Sequence, residues 1–232
     1  HANKDEDTQP LIIDLSADYR FDKNWLYMIP EIIQKQSSID FQQTKKISNP
    51  GCYATAMQLV LMPLKNELSQ VPSCFGVSGY SGAGTTPSDK NNPQRLKDNF
   101  LPYAPVNHLH EKEVAFQLEN TIQFTPHVAS FFRGISMTVH LHLSRAWTTE
   151  ELSEFFDQFY KNSPLVKVEK DIPEVHHVQN KYHAIIGGIS LKEDGRQATI
   201  FCVLDNLLKG AASQALQNIN LTCGFEELTG IQ

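Results

Sequence analysis

Met137-Thr138-Val139-His140-Leu141-His142-Leu143-Ser144 sets four apolar side chains against four polar ones in strict alternation. Successive side chains of a strand point to opposite faces, so this stretch predicts a strand with one packed face and one polar face. Downstream, residues 185–191 and 198–204 flank Glu193-Asp194-Gly195-Arg196 and predict a hairpin. Between them Thr148-Thr149-Glu150-Glu151 supplies capping residues ahead of Leu152, Phe155, Phe156 and Phe159, one apolar helix face. Upstream, Pro50-Gly51 is a turn, and Ala54, Ala56, Met57, Leu59, Val60, Leu61 and Leu64 are apolar almost all round, which predicts a buried helix. Residues 73–77 read as a short strand, followed by a Gly-rich loop, an Asn-, Pro- and Lys-rich loop to Tyr103, and a polar helix from near Glu111. A last helix spans residues 207–221. Near the start, Leu11-Ile12-Ile13-Asp14-Leu15 resembles a strand buried on both faces of a parallel sheet. The expected fold class is therefore α/β plus α+β, a mixed-sheet domain following the remnant of a parallel one.

Composition narrows the function. At 41% hydrophobic and 20% charged, the 232 residues suit a folded globular chain. The longest apolar run, residues 57–64, is broken by Gln58 and Pro63 and falls short of a membrane span. A net charge of −6 leaves no general basic field for a phosphate backbone, so neither a membrane nor nucleic acid is an expected partner. Cys52, Cys74, Cys202 and Cys223 form no CxxC pair and no dense framework, which fits a reducing compartment. His1-Ala2-Asn3-Lys4-Asp5-Glu6-Asp7 is polar and acidic, unlike a signal or transit peptide.

Cys52 stands at the entrance of the buried helix, where unpaired amides and the helix dipole lower a thiol pKa; the alternative is a Cys packed as a small hydrophobe. Cys74, Cys202 and Cys223 read as packing. His108-Leu109-His110, with Glu113 three residues on, offers an imidazole and a carboxylate to orient it, or a surface loop with incidental histidines. His140 and His142 share a strand face, but no third metal ligand stands at local spacing, and no metal site is expected. His176, His177 and His183 lie in a charged connection and read as surface. Gly79-Tyr80-Ser81-Gly82-Ala83-Gly84 is not the dinucleotide fingerprint, and neither GxGxxG nor GxxxxGK[ST] occurs. Such a loop lets backbone amides approach a ring or an anion, or is simply a turn.

Four segments, Ser48-Asn49-Pro50-Gly51-Cys52-Tyr53-Ala54-Thr55, Val77 through Gly84, His108 through Glu113, and Leu204-Asp205-Asn206-Leu207-Leu208-Lys209-Gly210-Ala211, resemble in order and context the N-acetyl-gamma-glutamyl-phosphate reductases, arginine-pathway relatives of aspartate-semialdehyde dehydrogenase. With Ile13-Asp14-Leu15-Ser16-Ala17-Asp18-Tyr19-Arg20, the likeness runs from about residue 11 to about 231, and the fungal mitochondrial form looks closest. The resemblance implies Cys52 as nucleophile, His108 as acid/base with His110 the less favoured member, and Glu113 as orienting carboxylate. It implies Ser78, Gly79, Ser81, Gly82, Gly84 and Asn206 against the nicotinamide of NADPH, and Asn49, His110 and Arg133 near the substrate.

The family opens with a Gly-rich pyrophosphate loop that this sequence lacks, so the expectation is a chain that starts late in the first segment of a split Rossmann-like NADP-binding domain. The implied division is residues 1–70, the end of that segment with the Cys helix; 71–204, an α+β substrate and oligomerisation domain; and 205–232, a C-terminal helix returning to the cofactor domain. The implied reaction is reduction of an acyl phosphate by NADPH through a Cys thioester, in a homodimer or homotetramer. A fungal source implies the mitochondrial matrix and association with acetylglutamate kinase, any other source the cytoplasm. Open alternatives are an aspartate-semialdehyde dehydrogenase-type reductase, a Cys/His acyl transferase or hydrolase without nicotinamide, and a non-enzymatic binding module.

Overall fold

The computed structural model describes residues 9–36 and 39–231; the polar stretch of residues 1–7 lies outside the described residues. Strands β1 (Ile12–Asp14), β2 (Leu26–Tyr27) and β3 (Lys46–Ser48) form a small parallel sheet in the order β1-β3-β2, with helix α1 (Pro30–Gln36) between β2 and β3 in sequence. The run around β1 was expected to be buried on both faces. The sheet order leaves β1 outermost instead, and Ile12 and Leu15 remain exposed.

Helix α2 (Cys52–Leu61) is buried along nearly its whole length, as its all-round apolar sequence predicts. It crosses the inner face of a seven-stranded mixed sheet built from β4 (Ser73–Gly79), β5 (Phe100–Pro102), β6 (Gln123–Ala129), β7 (Ile135–His142), β8 (Val166–Glu169), β9 (Ala184–Leu191) and β10 (Gln197–Leu204), in the order β5-β6-β4-β7-β10-β9-β8. The alternating stretch is β7, whose Ile135, Met137, Val139 and Leu141 enter the core while His140 faces out. The hairpin is β9 with β10, antiparallel from the Ala198–Leu191 pair onward. The parallel partner of β4 is β6, which the sequence reading missed because Pro126 and His127 interrupt any period of two.

Among the described residues, five further α-helices complete the frame. The short α3 (Pro93–Leu96) and α4 (Leu109–Leu118) follow β4, and α4 packs on α2. Helix α5 (Thr149–Tyr160) begins with the expected capping box, Thr148 and Glu151 exchanging bonds at 3.1 and 2.8 Å. After the one-turn α6 (Val175–Val178) and the last two strands comes a π-helical turn, Leu208–Ala212, ahead of α7 (Ser213–Cys223). Asn218 of α7 donates to the Met28 carbonyl and to Asn49 Oδ1, so the last helix lies against the small parallel sheet. Among the described residues no helix is long and apolar enough to cross a membrane.

Candidate active site

Cys52 is the first residue of α2, and Gly51 caps that helix in an extended conformation. A Cβ on Gly51 would collide with the His110 imidazole and the Arg20 guanidinium, so glycine here lets both groups lie against the helix entrance. The opposite wall is the π-helical turn: a Cβ on Gly210 would come within 2.7 Å of the Cys52 Cβ. The amides of Tyr53 and Cys52 favour the thiolate, as the helix entrance predicts.

The electrostatic outcome differs from the expectation. Burial pushes the half-buried Cys52 thiol up to about 11, outweighing the Tyr53 amide; Glu113 raises it further and Arg20 lowers it. A helix terminus acts over one turn, but removing water from a sulfur acts on the whole charge. In the ligand-free geometry the group is a thiol. Cys74 and Cys202 are buried, with thiols raised by the same cause. Cys223, read as packing, is exposed at the end of α7 because the helix stops one residue later at Gly224.

His108 caps α4: its Nδ1 accepts the His110 amide N–H at 3.1 Å, which puts the proton of a neutral ring on Nε2. Burial, reinforced by Lys90, lowers it to about 4. His110 is held lower than usual by burial, by His108 and by Arg20, and its buried Nδ1 has no protein partner. The two rings form one aromatic cluster with Tyr53, and Tyr103 and Phe124 pack against His108.

Glu113 was expected to orient an imidazole, and it does not. Oε1 accepts the Gly51 amide at 2.9 Å and the Tyr27 hydroxyl at 2.7 Å, and Oε2 accepts Arg20 Nη1 at 2.9 Å. These donors reach it from three other segments, which no local spacing reveals. Asn49, expected near the substrate, is buried, donating to the Ala211 carbonyl and accepting from Asn218. Its amide ties α7 to the Cys52 entrance. Arg133 is likewise engaged within the protein: Nε lies 2.7 Å from Asp205 Oδ2, Nη2 donates to Asp205 Oδ1 and Nη1 to Asn180 Oδ1. With a buried carboxylate against it, its charge has a partner already.

The Gly-rich loop runs from the end of β4 through a 3-10 turn, Tyr80–Ala83. Gly79 donates to Gly134 O and Ser81 N to Phe132 O. The Ser78 hydroxyl donates to Gly79 O, and Gly82 sits over the Ser78 and Asn206 side chains. Asn206 bridges the loops, donating to Ser81 Oγ at 3.0 Å and accepting the Gly134 amide at 2.7 Å. Ser81 and Gly84 face a cleft of about 860 Å³ that Tyr80, Phe132, Asn91 and Leu207 also line. Gly84 has open space where a Cβ would stand. Cys52 and the imidazoles do not line that cleft; Asn206 and Gly210, within one turn of chain, connect the two places.

One residue the sequence reading passed over stands at the imidazoles. Lys90 Nζ lies 4.8 Å from the Tyr103 ring centre and acts on His108. It sits in a loop whose Lys, Asn and Pro carry no periodic signal. Among the described residues no group of three or more His, Cys, Asp and Glu is arranged to hold a metal ion. His140 contacts Thr199, and His176 and His177 are exposed.

Residues 52–206 match the family model of the semialdehyde dehydrogenase dimerisation domain. The chain is 52% identical over 221 residues to the N-acetyl-gamma-glutamyl-phosphate reductase of Stenotrophomonas maltophilia, covering 95% of this chain and 68% of that protein. It is 50% identical over 224 residues to the reductase of Xanthomonas axonopodis pv. citri, covering 97% and 70%. Both relatives are bacterial, and the mitochondrial placement read from a fungal likeness gains no support from them. Among solved structures, the fold is similar to aspartate semialdehyde dehydrogenase II from Vibrio cholerae, with a TM-score of 0.73 at 18% identity over 91% of this chain and 72% of that one. The enzyme from Francisella tularensis gives 0.72 at 20% identity, covering 92% and 74%.

Proposed function

The chain belongs to the N-acetyl-gamma-glutamyl-phosphate reductase family, oxidoreductases of arginine biosynthesis, and from that premise we propose that Cys52 is the nucleophile, His108 and His110 the acid/base pair, and NADPH the reductant. The observation that carries this reading is the helix entrance itself: a thiol on the first residue of α2, with an imidazole and a guanidinium against the residue before it.

The Cys52 sulfur attacks the acyl carbon of N-acetyl-gamma-glutamyl phosphate, the bond from that carbon to the phosphate oxygen breaks, and phosphate leaves with the electron pair. A thioester remains on Cys52. The thiol proton is lost as attack proceeds; His110, neutral and with its Nδ1 unpartnered, is able to take it, whereas His108 takes a proton only by releasing the His110 amide from its Nδ1. An incoming phosphate dianion near His108 and Lys90 favours the imidazolium, which compensates for a resting pair that holds its proton on sulfur. The amides of Cys52 and Tyr53 are the donors for the tetrahedral oxyanion; as the carbon–sulfur bond breaks to release the aldehyde, the electron pair returns to sulfur, which takes back the proton held by the imidazole pair.

The fit of a nicotinamide cofactor rests on the cleft beside Ser81 and Gly84, whose volume is ordinary for a ligand site and whose backbone is open at Gly84. A nicotinamide cofactor held there against Ser81, Gly84 and Asn206 would supply the hydride that reduces the thioester. The bridging amide of Asn206 holds the Ser78–Gly84 loop in register with the turn that touches Cys52. In this reading residues 1–70 carry the nucleophile, 71–204 form the substrate and dimerisation side and contribute the Ser78–Gly84 loop to the cofactor, and 205–232 return to the first segment with Asn206. Dimer formation falls to the open sheet face, where Phe75 and Phe100 flank His127. A bacterial source, like that of the relatives above, corresponds to a cytoplasmic enzyme.

Incubation with the acyl phosphate in the absence of NADPH should leave an N-acetylglutamyl adduct on Cys52, released by hydroxylamine and visible by mass spectrometry. Cys52→Ser should show neither the adduct nor phosphate-dependent turnover. An adduct on another residue, or undiminished turnover of the Ser variant, rejects the assignment. NADPH consumption that depends on acyl phosphate separates a reductase from an acyl transferase or hydrolase.

A further inference from the structure

A buried ion pair beside the nucleophile has no part in the steps above. Arg20 and Glu113 are almost fully buried, at 7% and 0% exposure, and are bonded to each other at 2.9 Å. Removing two charges from water costs several kcal/mol per ion, and a buried ion pair seldom repays it in stability. Each partner is instead tied to the Cys52 entrance. Glu113 accepts the Gly51 amide, and Arg20 Nε donates to the Asn49 carbonyl at 3.3 Å, so together they hold the two residues that lead through Pro50 into the helix. The far side is fixed as well: Arg20 Nη2 donates to Leu15 O, Tyr27 donates to Glu113, and Gln58, two turns into α2, donates to Tyr27 Oη.

We propose that Arg20 and Glu113, braced by Tyr27, are positioning residues that aim the first turn of α2 and set opposing electrostatic biases on the Cys52 sulfur. The proposal rests on Cys52 as nucleophile. Glu113 makes the thiolate harder to form and Arg20 makes it easier, two opposed influences beside the burial that holds the sulfur as a thiol. The titratable and charged groups around that sulfur are Arg20 from the segment after β1, Glu113, His108 and His110 from or capping α4, and the phenols of Tyr53 and Tyr103. Lys209, on the π-helical turn, points away into a bond with Glu31.

A purely structural pair and a biasing pair differ in sign. In the full chain carrying Cys223→Ser, the rate of Cys52 alkylation by iodoacetamide at pH 9 is measured by mass spectrometry. Glu113→Gln, which removes the negative charge, should raise the rate about threefold or more, and Arg20→Met should lower it about threefold or more, half a unit of thiol pKa in each direction. Arg20→Lys keeps the charge and should stay within about twofold of the parent. Changes of the same sign in the first two variants, or no change in either, overturn the proposal. Should either single variant fail to fold, Arg20→Met with Glu113→Gln leaves no unpaired buried charge and serves as the second arm. There the two biases cancel and the rate stays within about threefold; a tenfold departure refutes the balance. Loss of the nucleophile reading shows separately, as turnover surviving Cys52→Ser, and leaves the alkylation comparison intact.

Discussion

Replacing Gly210 with alanine tests how closely the π-helical turn bears on the nucleophile. The new methyl would stand 2.7 Å from the Cys52 Cβ, 3.1 Å from a Leu204 methyl and 3.3 Å from the Asp205 carbonyl oxygen. Leu204 can rotate, but a Cβ moves only with its backbone, and carbon atoms rest about 3.5–4.0 Å apart. The turn and the entrance of α2 must therefore part by about 1 Å. Overpacking of this kind costs about 1–3 kcal/mol, and the better helical propensity of alanine returns up to about 1 kcal/mol. A net loss of about 1–2 kcal/mol lowers Tm by about 2–8 °C in a chain of this size. Function should suffer more than stability, because a misplacement of about 1 Å at a reacting atom costs about 100-fold. Scanning calorimetry and steady-state kinetics of Gly210→Ala, beside the exposed Ala212→Gly at the end of the same turn, give the comparison. Ala212→Gly should lose about 1 kcal/mol and keep its turnover. An unchanged Tm with full turnover in Gly210→Ala would falsify the claim that this turn positions Cys52.

Limiting iodoacetamide at neutral pH should label exposed Cys223 before Cys52 and leave Cys74 and Cys202 unmodified, as peptide mapping will report; prior labelling of Cys52 means that burial does not govern its thiol. His108→Ala should lower kcat by about 100-fold and His110→Ala by less, with the reverse order exchanging their roles. Both imidazoles have folded-state pKa values below the unfolded value, His108 near 4, so between about pH 6.5 and 4 the unfolded chain binds more protons and stability falls as the pH falls. Replacing both rings should flatten urea midpoints across that window, and an unaltered slope discounts them. Lys90→Met should raise KM for the acyl phosphate more than it lowers kcat, whereas an unchanged KM removes Lys90 from substrate binding. Lys209→Met leaves buried Glu31 without its cation and should cost about 3–5 kcal/mol by urea denaturation, partly recovered with Glu31→Gln; a neutral single variant shows that the pair is dispensable.

Much of the fold is legible in the sequence because its signals are local. The eight-residue alternation of β7, the all-round apolar α2, the Thr148 capping box and the turn between β9 and β10 each depend on neighbours within a few residues, and each forms as read. The motifs around Cys52, His108 and Asn206 are local too, and they sufficed to point to the family. Strand β6 escaped because Pro126 and His127 disturb its period, and its place beside β4 is fixed only by pairing with a strand fifty residues earlier.

The workings of the site are another matter, since they depend on groups far apart in the chain meeting away from water. Arg20 reaches Glu113 across 93 residues, Lys209 reaches Glu31 across 178, and Arg133 reaches Asp205 across 72. No periodicity records such pairings. They set Glu113 against the Gly51 amide, Asn49 against the Ala211 carbonyl and Arg133 against Asp205, contacts that the sequence does not announce. The same holds for the thiol. By itself the sequence determined that Cys52 opens a helix, which favours a thiolate; only the tertiary structure decided that protein replaces water around the sulfur, and desolvation of a full charge exceeds the pull of two amides.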